Sequence, residues 1–165
     1  MRAFPLVRQT CPDAQLLIAG FPAKDVSPES LHLLAEELDI ADHVTWLLDY
    51  VPNEQVAPLM ALSSVVVLPY RAITQSAVIQ IAYACGRPVV ATRVGGLPDV
   101  VEEGASGLLA SPEDPDSLAA AITQIISDPA VGERMGQHAQ ILADTRYSWR
   151  NVAEQVMMAL EPLVE

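Results

Sequence analysis

Basic residues are scarce in this chain. Nine Lys and Arg face 21 Asp and Glu in 165 residues, a formal charge of −12. A basic patch for nucleic acid or an anionic membrane is therefore not expected. Cysteine is scarcer still: there are two, Cys11 and Cys85. Cys85 falls on an apolar helical face and reads as a core thiol, and a cytoplasmic setting fits. No apolar run approaches the ~20 residues of a membrane-spanning helix. The opening MRAFPLVRQTCPDAQ lacks the long apolar core of a signal peptide. The three histidines, His32, His43 and His138, have no metal-ligand spacing with Cys, Asp or Glu, so no metal is expected. Walker, Gly-x-Gly-x-x-Gly and Gly-x-Ser-x-Gly patterns are missing too.

What remains is a globular composition, 51% apolar and 18% charged, in a chain long enough for one domain with a core. Its most informative stretch is residues 64–107, which read as strand, loop, helix, strand, glycine turn and helix. Val65 to Leu68 are apolar without a break, as in a strand buried on both faces. Thr74, Gln75 and Ser76 precede Ala77, Val78, Ile81, Ala82 and Cys85, which share one helical face. Ser76 is the expected N-cap, and Gly86 followed by Pro88 is a C-terminal stop. Val89 and Val90 form a second buried strand, and Gly95-Gly96 a turn. This order implies a right-handed parallel βαβ unit.

Open sheets of this kind bind ligands at the carboxyl ends of their strands. Here those ends carry Pro69-Tyr70-Arg71 and Thr92-Arg93, and the first loop leads into a helix N-terminus whose free N–H groups favour an anion. Capping alone accounts for any one hydroxyl in this loop. Loop, cap, Arg71 and glycine pair together favour a site.

Elsewhere, residues 3–9 read as a helix end and residues 15–19 as the first strand. Ser27-Pro28 opens a helix whose buried face carries Leu31, Leu34, Ala35 and Leu38. Residues 43–48 form the second strand, with Trp46 as packing, and Asn53 caps a short helix bent at Pro58. Residues 107–110 make the last strand. Three helices follow, marked by Leu118, Ile122, Ile125 and Ile126, then Met135, Ala139 and Leu142, then Val152, Val156 and Leu160. The fold class is α/β: a Rossmann-like parallel sheet of about five strands, near 15–19, 43–48, 65–69, 88–92 and 107–110, flanked by helices.

The phrases VVVLPYR, QSAVIQIAYACGRPVVAT, VGGLPDVVEEGASGLL and SPEDPDSLAAAI stand in an order that resembles the C-terminal half of glycosyltransferase family 4. These are retaining enzymes with the GT-B fold of two Rossmann-like domains. The resemblance runs from Met1 to the final helix. It implies that residues 1–165 are one nucleotide-sugar-binding domain truncated at its N-terminus. A central strand, an Arg and Lys that neutralise the donor diphosphate, and the acceptor domain would all lie upstream. The second strand would form one edge and the fifth the other, with the first beside the third, directly or across a gap. The implied partners are a UDP- or GDP-linked sugar and the missing acceptor domain, and the broken sheet suggests a homodimer through exposed sheet or apolar surface. No cofactor is implied.

The implied donor contacts are Tyr50 and Val51 near the base, and Tyr70, Arg71, Thr74, Gln75, Ser76, Ala77, Val78 and Gln80 around the sugar-diphosphate. Many members carry two glutamates eight positions apart that fall on Ile73 and Ile81 here, while some branches use a TQS-type loop instead. A non-catalytic ligand-binding or interaction module derived from such a domain is the alternative. A phosphoryl-accepting receiver domain lacks its acidic pocket, with Asp49 alone at a strand end. The related GT-B epimerases need catalytic acids that cannot be located.

Overall fold

Val89 and Ala91 point to one side of the molecule and Val90 to the other, and all three are fully buried. That alternation places their strand between two helical layers. A computed structural model describes residues 1–23 and 25–160. The elements run α1 (Phe4–Thr10), β1 (Leu16–Ala19), α2 (Pro28–Glu37), β2 (Val44–Leu47), α3 (Asn53–Leu62), β3 (Val66–Leu68), α4 (Ala77–Ala84) and β4 (Val89–Thr92). Then come α5 (Leu97–Val100), β5 (Gly107–Ala110), α6 (Pro115–Ile126), α7 (Pro129–Asp144) and α8 (Trp149–Leu160).

Every strand pairing is parallel. β3, β4 and β5 form one sheet in that order, with Val66 opposite Val89 and Val89 opposite Gly107. β1 and β2 form a second, with Leu16 opposite Val44. No ladder joins the two among the described residues, so the five strands make two sheets rather than one. They share a roof: Leu118 and Ile122 of α6 pack against Phe4, Val7 and Ile40 on one side and Val90 and Leu108 on the other. The opposite face of β3 and β4 is covered by Ile79, Ala82 and Tyr83 of α4 with Ala139 and Leu142 of α7. β4 is buried at all four residues, whereas Leu16, Leu17 and Ile18 of β1 are only half-buried and Ala19 is exposed.

Local chemistry explains three of the helix starts. Ser27 Oγ accepts from the Ser30 N–H, Asp114 Oδ1 from Ser117 and Asp128 Oδ1 from Ala130, each with a proline next in the chain. Asn53 does not cap α3: Pro52 holds that position without a side-chain bond, and Asn53 is the first helical residue. The buried stripe of α4 is also rotated from the expected one. Ile79, Ala82 and Tyr83 face the core, while Ala77 and Ile81 are exposed and Cys85, just past the helix, is half-buried. The Tyr83 hydroxyl finds Ser106 Oγ at 2.6 Å, a partner 23 residues away that turns the helix toward it. α8 buries no residue, and its Trp149, Val152, Val156 and Leu160 are all exposed.

Candidate functional site

The loop between β3 and α4 is held by its main chain. Thr92, buried at the end of β4, donates its hydroxyl to the Tyr70 carbonyl at 2.6 Å. Four residues further along the loop, the Gly96 N–H donates to the Thr74 carbonyl at 2.9 Å. Gly95 sits in the left-handed region, φ +53°, and a Cβ there would run into the Ile73 carbonyl. The glycine pair thus serves as a seat for residues 73–75. The sequence pointed to the pair and to Thr92 as neighbours of the loop, but not to their role as clamps.

Past the clamp the chain turns into α4. The N–H groups of Gln75, Ser76, Ala77 and Val78 make no hydrogen bond among the described residues. Ser76 stands in the extended conformation of a cap, yet its hydroxyl does not cap. It lies 3.2 Å from the Tyr70 hydroxyl instead. The four donors are therefore left open at the positive end of the helix. Thr74, Gln75 and Ala77 are exposed, and Val78 and Gln80 are half-buried.

The other expected residues divide. Arg71 is exposed, and its Nε lies 3.3 Å from Glu113 Oε1. Arg93 is drawn away to Glu103, with its Nη2 on both carboxylate oxygens at 2.8 and 2.6 Å. Tyr50 and Val51 follow β2 in the other sheet. Tyr50 is 64% exposed, its N–H held by Asp49 Oδ1 at 2.7 Å, and among the described residues no hydrogen bond joins it to the loop. Ile73 packs against the core beside Tyr70 and Val78, while Ile81 is 39% exposed. No carboxylate stands at either position.

A second polar network lies near the ends of α4 and α7. Glu102 accepts from His138 Nε2 at 2.7 Å and from Arg146 at 3.3 Å, and its N–H donates to Ser106 Oγ. Burial pushes the Tyr83 phenol up to about 12, against the opposing hydrogen bond from Ser106, and burial also raises Tyr147. A hollow of about 430 Å³ opens at the amino ends of β3 and β4, lined by Ser64, Cys85, Arg87 and Glu133, at the opposite end of the sheet from the clamped loop. Among the described residues no group of three or more His, Cys, Asp or Glu is placed to hold a metal ion. No helix among the described residues is long and apolar enough to cross a membrane.

Parallel sheets flanked by helices match GT-B glycosyltransferase structures. The chain belongs to the glycosyl transferases group 1 family, which matches residues 1–128. It is 40% identical over 149 residues to the D-inositol 3-phosphate glycosyltransferase of Corynebacterium urealyticum, covering 87% of this chain and 34% of that protein. The chain thus spans about a third of the length of that relative. Sucrose-phosphate synthase from Thermosynechococcus elongatus superposes with TM-score 0.83 at 29% identity, over 99% of this chain and 42% of that one. Anabaena HepE, solved in complex with UDP-glucose, superposes with TM-score 0.82 at 27% identity, over 97% and 44%.

Proposed function

We propose that this chain is the donor-binding half of a retaining family 4 glycosyltransferase, one that takes a UDP- or GDP-linked sugar in the cytoplasm. The observation that carries the reading is the set of four unbonded N–H groups at residues 75–78, above a loop clamped at the Tyr70 and Thr74 carbonyls. Phosphate oxygens are the natural acceptors for such a set, and Arg71 adds charge. Gln75 and Gln80 would donate to sugar hydroxyls where other members place glutamates, and the base would lie by Tyr50 and Val51. The UDP-glucose complex of the Anabaena neighbour supports the ligand class.

Retaining transfer places the anomeric carbon against an acceptor and stabilises a leaving diphosphate with positive charge. This chain supplies part of the second requirement. An acceptor domain and an Arg–Lys pair would have to supply the rest, and the interruption between the two sheets is where a further parallel strand would fit. The chain alone would then bind weakly, no tighter than about 0.1 mM or ~5.5 kcal/mol, and would transfer nothing. The apolar Ile73 and Ile81 favour the second reading, a non-catalytic binding module of the same descent.

NMR titration with UDP, GDP and their sugars tests this. Shifts clustered on residues 50–51 and 71–80, lost in an Arg71→Ala, Ser76→Pro double variant that still folds, are expected. Shifts elsewhere, or none at several millimolar, would leave only an interaction module.

A further inference from the structure

Arg71 is the only cation in the loop between β3 and α4. Its partner, Glu113, comes from the loop after β5, so the pair reaches across from one side of β4 to the other. Two features set Glu113 apart from an incidental surface carboxylate. It is one of two non-glycine residues with positive φ among the described residues, at +57°. A glutamate gains nothing locally from that conformation, which costs energy for any residue with a Cβ. It also stands directly before Asp114, whose own carboxylate is committed to the Ser117 N–H as the cap of α6. The left-handed turn thus presents one carboxylate to Arg71 while the next caps a helix.

We infer that Glu113 is a built-in competitor for the donor diphosphate, occupying Arg71 until phosphate displaces it and so setting the affinity of the site. A carboxylate and a phosphate are drawn to the same guanidinium charge, so a diphosphate arriving at Arg71 competes with the Glu113 carboxylate 3.3 Å from its Nε. Glu113 also adds negative charge where a diphosphate must arrive. The pair is open to water, with side chains 83% and 66% exposed, so the competition is mild and reversible. This inference rests on the donor-loop reading above.

The test is titration of the whole chain with UDP, followed by NMR, with uridine as a phosphate-free control. Glu113→Gln removes the charge, and Glu113→Asn does so with a residue that tolerates the left-handed turn, which covers the case in which Gln disturbs folding. Both are expected to tighten UDP roughly two- to fivefold, to leave uridine unchanged, and to lose that gain in an Arg71→Gln background. Equal UDP affinity in wild type and both variants overturns the inference and leaves the donor loop intact. A gain of the same size without Arg71 also overturns it, because general charge repulsion then accounts for the effect. No UDP shifts on residues 71–80 in any variant would remove the donor-loop reading itself, and this inference with it.

Discussion

Gly95 is the residue on which the candidate site most directly depends. A Cβ there meets the Ile73 carbonyl and also forces a side chain into φ +53°. Gly95→Ala is expected to cost about 2–4 kcal/mol in urea unfolding, from strain and overpacking together, and to shift the amide resonances of residues 73–78. Gly104 is the control. Its φ is +80°, but a Cβ there meets nothing within 4 Å. Gly104→Ala should cost only the conformational strain, about 1–2 kcal/mol, and leave the loop resonances in place. Tyr83 gives a second residue-scale prediction. Its phenol ionises near 10 when unfolded and at about 12 when folded. Between those values the unfolded chain holds fewer protons, so rising pH favours unfolding. The stabilising contribution is complete below pH 10 and lost as pH passes about 12. Stability measured across that window should fall less steeply in Tyr83→Phe. At neutral pH that variant should lose about 1 kcal/mol, the worth of one hydrogen bond, since Ser106 keeps the Glu102 N–H.

At the scale of elements, β4 organises both the core and the site. Its valines face different helical layers, so Val90→Ala should weaken the α6 side, by about 2–3 kcal/mol in chemical denaturation. Thr92→Val keeps the shape of the strand end but strands the Tyr70 carbonyl. Faster hydrogen exchange through residues 70–76, with a loss of about 1–2 kcal/mol, is the expected result. An unchanged loop would show that the glycine seat holds it alone. The order of these elements was readable because each announces itself locally. Ser27-Pro28, Asp114-Pro115 and Gly86 mark helix ends, and unbroken Val–Leu runs mark strands. What could not be read depends on partners far along the chain. The face of α4 is decided by Ser106, the Ser76 hydroxyl is diverted to Tyr70, and Arg71 meets a glutamate from the loop after β5. Periodicity within one helix carries no information about any of these. For the same reason the loop, the Gly pair and Arg71 were all visible as candidates, while the clamps that join them were not.

For the whole molecule, the contrast between the two sheets matters most. β4 is sealed at every residue, yet the equally apolar β1 is covered only in part. Unpaired strand edges and bare apolar surface promote association, and α8 adds an exposed row of Trp149, Val152 and Val156. We expect the apparent mass in light scattering to rise with concentration. A steady monomer at high concentration would count against the open-sheet account. The clamped loop carries a different consequence, for how such a domain changes over time. Its path is fixed by two carbonyl oxygens, and every residue has a carbonyl oxygen. The side chains of Arg71, Ala72, Thr74 and Gln75, all exposed, are therefore released from the task of shaping the loop. They form a writable surface on a fixed frame, where side chains can be exchanged without rebuilding the fold beneath them.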